Sequence, residues 1–236
     1  YCKRARINDG MKILDVGCGW GSLSLYLAKK YPKSKITGVS NSSSQKVFID
    51  GLASERGLQN LNIVTKDINA FDTDDKFDRI VSIEMFEHTK NSKKLMNSIN
   101  GWLKPDGLFF MHVFAHKDNP YYFDNGQNNA WMAKYFFTGR MMPNHDLFRD
   151  LESNLDYQES WMMPGTHYEK TSNAWLDKMD LNKKKILELF KKENGNAIAK
   201  RKFHFWRLFF IACAEIFGYD NGSEWVVSHH LFKKSG

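Results

Sequence analysis

The feature that most constrains this chain is the stretch LDVGCGWGS, residues 14–22. An unbroken apolar run, MKILDV, leads into it, and SLSLYLAKKYP leaves it with helical spacing and a proline stop. A continuous apolar strand is buried on both faces, and a glycine-rich turn passing it directly into a helix opens a strand–helix–strand unit. The alternation is sustained. SKITGVS, LNIVTKD and FDRIVSI read as further strands, SSSQKVFIDGLASERGL and SKKLMNSINGWL as helices, and LFFMHVF as a fifth strand after a KPDG turn. This order predicts an α/β, Rossmann-like parallel sheet with helices on both faces.

Beyond Ala115 the pattern breaks, and the segment to Asn144 is dense in aromatic residues and methionines without a clear period. A helix follows around Asn144–Leu151, then a strand at YQESWMM, two helical segments between Thr171 and Gly218, and a last strand at EWVVSHHLF. Together these give a seven-stranded sheet with an aromatic lid inserted after strand five. We expect a single domain over residues 1–236, with 115–143 and 160–218 as lid and substrate-pocket elements. Tyr121, Tyr122, Phe123, Trp131, Tyr135, Phe136, Phe137, Met141 and Met142 are expected to pack that lid, a pocket wall being their alternative use. Trp161, Met162 and His167 are further pocket candidates.

At 236 residues with 42% hydrophobic content, the chain holds one sizeable core. Its formal charge of +7 favours anionic partners or simply a solvated basic face. No long basic run interleaves with aromatics, so nucleic acid is not an expected partner. Cys2, Cys18 and Cys213 have neither metal-ligand spacing nor the even count of a disulfide set, which fits a reducing, cytoplasmic location without a metal. The most apolar stretch, FHFWRLFFIACAEIFGY, carries His204, Arg207 and Glu215 and is short for a bilayer crossing, so a lid helix is expected there. The opening YCKRARINDG lacks a methionine and reads as the end of a helix already under way, as in a truncated chain. No feature sets an oligomeric state.

Gly17, Gly19 and Gly21, with Cys18 and Trp20 between them, let the backbone turn sharply and approach a ligand without a Cβ in the way. Their G-x-G-x-G spacing differs from the G-x-G-x-x-G of dinucleotide sites, which place a pyrophosphate on the helix N-terminus. Asp15, just before the first glycine, suits an ammonium group. A phosphate-free ligand joining an amino acid to a nucleoside meets both conditions, and S-adenosylmethionine is such a ligand. After the second strand, Ser40, Asn41, Ser42 and Gln45 offer hydrogen bonds to ribose hydroxyls, or equally form an N-cap cluster. After the third, Asp67 and Ile68 suit an adenine amino group and ring face. All lie at carboxyl ends of strands, where open α/β sheets bind their ligands.

Taken together, ILDVGCGWGSLSLYLAKKYP, ITGVSNSSSQ and SIEMFEHTKN resemble the cyclopropane-fatty-acid-synthase-like family of S-adenosylmethionine-dependent methyltransferases. Within it the chain looks most like the plant coclaurine N-methyltransferase group. YFFTG, WLKPDG, HYEKTSNAWL, FWRLFFIACAEIFGY and EWVVSHHLF extend the similarity to the C-terminus. The resemblance implies a methyltransferase sheet with the cofactor along Asp15–Gly21, Ser40–Gln45 and Asp67–Ile68. It also implies N-terminal helices ahead of Tyr1 that close over the cofactor and, in lipid-modifying members, carry a cysteine.

The fourth strand ends in IVSIEMFEHTK, which crowds Glu84, Glu87 and His88 together. Methyl transfer from a sulfonium is an in-line displacement, so alignment comes first. A simple alkylamine has a pKa of roughly 10, arrives protonated and needs a base. Glu84 and Glu87, three positions apart, are expected to present both carboxylates to one pocket, and His88 can take a proton near neutral pH. The resemblance assigns the base role to Glu87 and His88, with Glu84 holding the amine or the cofactor. The plainer readings are a structural His88 and a Glu84 that touches cofactor alone.

The rival chemistry implied by the resemblance is that of a cyclopropane-fatty-acyl-phospholipid synthase, in which a bicarbonate held by Glu87 and His112 strips a proton from an alkylated lipid chain. Two departures argue against it. Glu84 stands where those enzymes typically have glycine, and FWRLFF lacks their aromatic hydroxyl. The expectation is methyl transfer from S-adenosylmethionine to a small-molecule amine. A membrane lipid substrate, or an inactive cofactor-binding module, is the alternative.

Overall fold

The structure, a computed structural model, describes residues 1–89, 91–123, 130–137, 139–151 and 153–235. The strands are β1 (Lys12–Val16), β2 (Lys35–Ser40), β3 (Leu61–Thr65), β4 (Phe77–Ile83), β5 (Leu103–His116), β6 (Tyr121–Tyr122), β7 (Met141–Met142), β8 (Leu155–Pro164) and β9 (Trp225–Lys234). Helices α1 (Ser22–Lys30), α2 (Ser43–Glu55) and α3 (Ser92–Trp102) alternate with the first five strands. Later come α4 (Ala130–Tyr135), α5 (Leu147–Asp150), α6 (Thr166–Leu181) and α7 (Lys183–Gly218).

Seven strands form one sheet in the order β3-β2-β1-β4-β5-β9-β8, as the alternation predicted. The pairs β1–β2, β1–β4, β2–β3 and β4–β5 are parallel. Strand alternation sends neighbouring residues to opposite faces. Ile13, Val81 and Phe110 join one cluster with Leu27 and Ala28 of α1, whereas Leu14, Ile80 and Phe109 join the other with Leu95, Met96 and Ile99 of α3. Phe86 is fully buried in that second cluster, where truncation to alanine costs about 3–5 kcal/mol. The strand order reverses between β1 and β4, which puts a crevice at their carboxyl ends.

Several boundaries differ from the sequence pattern. β5 begins at Leu103 because the KPDG segment continues the strand, with a register shift against β4 between Phe77 and Arg79. The helix expected around Asn144–Leu151 shrinks to the four residues of α5. α6 begins at Thr166, ahead of Thr171, and α7 is broken at Gly195, whose backbone leaves the helical region at φ 77° and ψ 169°.

Two compact units divide the chain. One comprises Tyr1–Val113, Asp146–Trp161 and Ser228–Gly236, and contains both large clusters. The other comprises Phe114–His145 and Met162–Val227. Within it, β6 and β7 form an antiparallel ribbon, and Phe114, Met142 and Phe217 are buried together. Phe136 stacks on Phe209 at 4.2 Å, Phe123 stacks on Phe137 at 4.7 Å, and Trp131 and Tyr135 meet Phe205. Those aromatic residues of the segment after Ala115 therefore pack among themselves and on α7, while residues 124–129 and 138 lie outside the described residues. Among the described residues no helix is long and apolar enough to cross a membrane.

Candidate active site

A cleft of about 880 Å³ opens at the carboxyl ends of β1 and β4. Asp15, Gly17, Cys18, Gly19 and Trp20 line it from the glycine-rich turn, and Ile83 and Glu84 from the end of β4. Tyr1, Cys2 and Lys3 border it, as do residues of α1 from Ser22 to Lys30. The glycines do different work. Gly19 has φ 53° and nothing within 4 Å of where a Cβ would sit, so it leaves open space for a ligand against the backbone. Gly17 has φ 82°, and a Cβ there would lie 2.5 Å from the Cγ of Met85, so this position makes room for the residue beside Glu84.

Asp15 is 2% exposed and accepts a hydrogen bond from the Ser24 hydroxyl at 2.6 Å. Burial pushes its carboxyl up to about 6, opposed by the Ser24 bond. An ammonium group laid against it would restore its ionisation. A cleft of this size, with one buried carboxylate and an open glycine backbone, has the chemistry that an amino-acid-bearing, phosphate-free nucleoside requires. Burial, with Asp15 adding to it, holds the Cys18 thiol up to about 12, so it stays a thiol. Trp20 is half exposed and meets Phe48 edge-on at 5.2 Å. Gly21 lies at the N-terminus of α1 in a left-handed conformation and is not among the cleft-lining residues.

The polar groups after β2 bind one another. The Ser40 hydroxyl donates to Gln45 Oε1 at 2.5 Å and accepts from the Ser42 amide, and Ser42 caps α2 by accepting from the Gln45 amide. Asn41 is exposed beside them. After β3, Asp67 accepts from the Asn69 amide at 2.8 Å, and Ile68 packs on the core. None of Ser40, Asn41, Ser42, Gln45, Asp67 and Ile68 lines the cleft.

Glu84, Glu87 and His88 are not brought to one wall. The expected helical spacing fails because Glu84 is left-handed, at φ 55°, and Met85 is neither helical nor extended, at φ −131° and ψ −35°. Only Phe86–His88 then form a 3-10 turn. Glu84 lines the cleft, Glu87 is 1% exposed within the turn, and His88 is exposed.

What Glu84 does meet is a histidine on the next strand. Ile83 pairs with His112, the Glu84 amide donates to the His112 carbonyl, and His112 Nε2 lies 2.8 Å from Glu84 Oε1. His112 Nδ1 lies 2.8 Å from Nε2 of His229 on β9, and His229 Nδ1 lies 2.5 Å from Nη1 of Arg4. Both imidazoles are 6% exposed. Burial, helped by the Arg4 guanidinium, pulls His229 down to about 2, so it is neutral. Tyr1 stands edge-on to His112 at 5.3 Å. Arg4 and His229 lie in stretches read from the sequence, YCKRARINDG and EWVVSHHLF, but neither is singled out there as a site residue. The one available signal is the paired histidine inside the apolar strand VVSHHLF, whose alternation turns His229 toward Phe110 and His230 toward Phe148.

The family profile described as mycolic acid cyclopropane synthetase matches residues 1–224. The chain is 37% identical to (S)-coclaurine N-methyltransferase of Thalictrum flavum subsp. glaucum, over 99% of its own length and 66% of that protein's. It thus spans about two thirds of such relatives. Cyclopropane-fatty-acyl-phospholipid synthase of Escherichia coli K12 is 33% identical over 75% of this chain and 44% of that protein. Among solved structures, coclaurine N-methyltransferase bound to N-methylheliamine and SAH superposes with a TM-score of 0.95 at 35% identity, covering 99% of this chain and 70% of that one. With the profile matched along nearly its whole length, the chain belongs to the mycolic acid cyclopropane synthetase family of S-adenosylmethionine-dependent methyltransferases.

Proposed function

We propose that this chain transfers the methyl group of S-adenosylmethionine to the nitrogen of a small-molecule amine. One contact carries the reading. The imidazole that the family resemblance assigns to a bicarbonate ion in lipid cyclopropane synthases, His112, here meets a carboxylate of the same chain, Glu84. A carboxylate fixed on the cleft wall suits a cationic amine and the ammonium product, and is a poor wall for an apolar acyl chain. The names of its relatives, N-methyltransferases of coclaurine, pavine and tetrahydroprotoberberine, support the same reading.

The cofactor, when bound, supplies an electrophilic methyl on a sulfonium. Asp15 holds the ammonium of its amino-acid part, and Gly19 lets the backbone close on it. Glu84 holds the acceptor's positive charge and so orients the nitrogen. Proton removal falls to Glu87 and His88, adjacent in the turn, and the exposed imidazole passes the proton to water. Three free cysteines support work in a reducing cytosol.

A mass-resolved assay with a panel of amines and unsaturated phospholipids tests this. The expected product is an amine heavier by one methylene. A gain on lipid alone, with every amine untouched, overturns it.

A further inference from the structure

We infer that Arg4 and His229 are positioning residues: they lock His112 as a neutral, single-tautomer donor, so that Glu84 keeps a full negative charge for a cationic acceptor. The inference rests on the amine reading above, and deepens it by saying how the charge at the acceptor position is maintained.

The assignment follows link by link. A guanidinium donates and cannot accept, so His229 Nδ1, 2.5 Å from Arg4 Nη1, must present a lone pair. A neutral imidazole carries one N–H, which places the His229 proton on Nε2. That N–H points at His112 Nδ1 at 2.8 Å, which must therefore be the acceptor. His112 is left with its proton on Nε2, where it donates to Glu84 Oε1 at 2.8 Å. All donors point from Arg4 toward the carboxylate.

The same logic forbids a second proton on His112. It would have to sit on Nδ1, facing the N–H of His229. His229 cannot yield by changing tautomer, because its Nδ1–H would then face Arg4. Both rings are 6% exposed, so water is a poor substitute partner. An ordinary histidine beside a glutamate becomes an imidazolium below about pH 6.5 and cancels the carboxylate charge. Here that cancellation is blocked. Because Arg4 cannot accept a proton, the chain of bonds is also no proton wire.

Other ionisable groups stand nearby among the described residues. Tyr1 contributes its phenol, held neutral by burial and by Glu84, and Lys3 borders the cleft. His230, next to His229 on β9, turns its ring to Phe148 and Phe232.

The decisive experiment is 15N NMR of the imidazole nitrogens in the wild-type protein from pH 5 to pH 8. We expect His112 and His229 both as neutral Nε2–H tautomers, with no titration of His112 in that range. Protonation of His112, or an Nδ1–H tautomer at either ring, overturns the inference whatever the turnover. Kinetics supply the functional arm. His229→Gln retains an acceptor and a donor and should keep the wild-type pH profile. His229→Phe should add an ionisation near pH 6.5 to kcat/KM, with about a fourfold loss at pH 6 expressed mainly in KM. Identical profiles for the wild type and both variants overturn the functional claim. If lipid alone reacts in the substrate panel, the cationic-acceptor part falls with the amine reading, and the NMR result still decides the tautomers.

Discussion

The Nε2–H of His112 reaches Oε1 of Glu84 across 2.8 Å, at the point where β4 ends and β5 continues. Parallel pairing makes the meeting unavoidable, since Ile83 and His112 are register partners and the chain turns away only after Glu84. The imidazole is thereby occupied by the chain's own carboxylate.

Glu84→Gln keeps an oxygen for His112 and removes the charge. We expect the fold and cofactor affinity to persist while KM for a cationic amine rises about 10–100-fold, the worth of roughly 1.4–2.8 kcal/mol. Steady-state kinetics with calorimetry on the cofactor separates the two effects, and an unchanged KM would falsify the anchor role.

Amine turnover should also be indifferent to bicarbonate. Rates measured in degassed buffer and in buffer with added bicarbonate are expected to coincide. A rate that collapses on degassing and returns with bicarbonate would mean that Glu84 does not take the ion's place.

Asp15 gives the cofactor-free protein a pH-dependent weakness. Its folded pKa, about 6, lies above the unfolded value of 3.8. The stabilising contribution is therefore complete below the unfolded value, declines as pH rises and is lost above about pH 6. The shift of about two units amounts to ~3 kcal/mol. Asp15→Asn should match the parent near pH 4, exceed its stability in urea at pH 7.5, and bind S-adenosylmethionine at least about tenfold more weakly. Cofactor affinity of the parent should fall as pH drops through 6. A variant no more stable than the parent at pH 7.5 would contradict the assignment.

The glycines should separate by phenotype. Gly19→Ala meets no atom within 4 Å, so its cost to stability is the left-handed penalty of about 1 kcal/mol, and the loss should appear in cofactor affinity. Gly17→Ala adds a collision with Met85 and should lose more thermal stability, with a raised KM for the amine. Equal melting temperatures would refute the distinction.

Glu87→Gln and His88→Ala are expected to lower turnover while cofactor affinity changes by less than about threefold. Wild-type turnover in both would remove them from proton transfer.

The sheet was legible because each of its first five strands is a short apolar run bounded by turn residues, and the cofactor cleft because its carboxylate and glycines are contiguous. KPDG was misread for a local reason: a proline–glycine pair signals a turn, but here pairing with β4 carries the strand through it with a register shift. The geometry of Glu84, Glu87 and His88 was hidden because one left-handed residue destroys the spacing from which a shared face was inferred. His112 is named only as a ligand in the lipid reading, and its link to Arg4 and His229 was out of reach for another reason. His112 and His229 are 117 positions apart and meet only because β9 inserts beside β5 in the sheet.

The backbone at Glu84 has a practical consequence. A non-glycine residue at φ 55° is what a thermostabilisation screen would flag first, since glycine there relieves about 1 kcal/mol of conformational cost. The substitution Glu84→Gly would also strip the buried His112 imidazole of its acceptor, which costs about 1–3 kcal/mol and outweighs that relief. The left-handed turn is held by the contact it makes possible, so a screen that reads backbone angles alone would choose a variant that melts earlier.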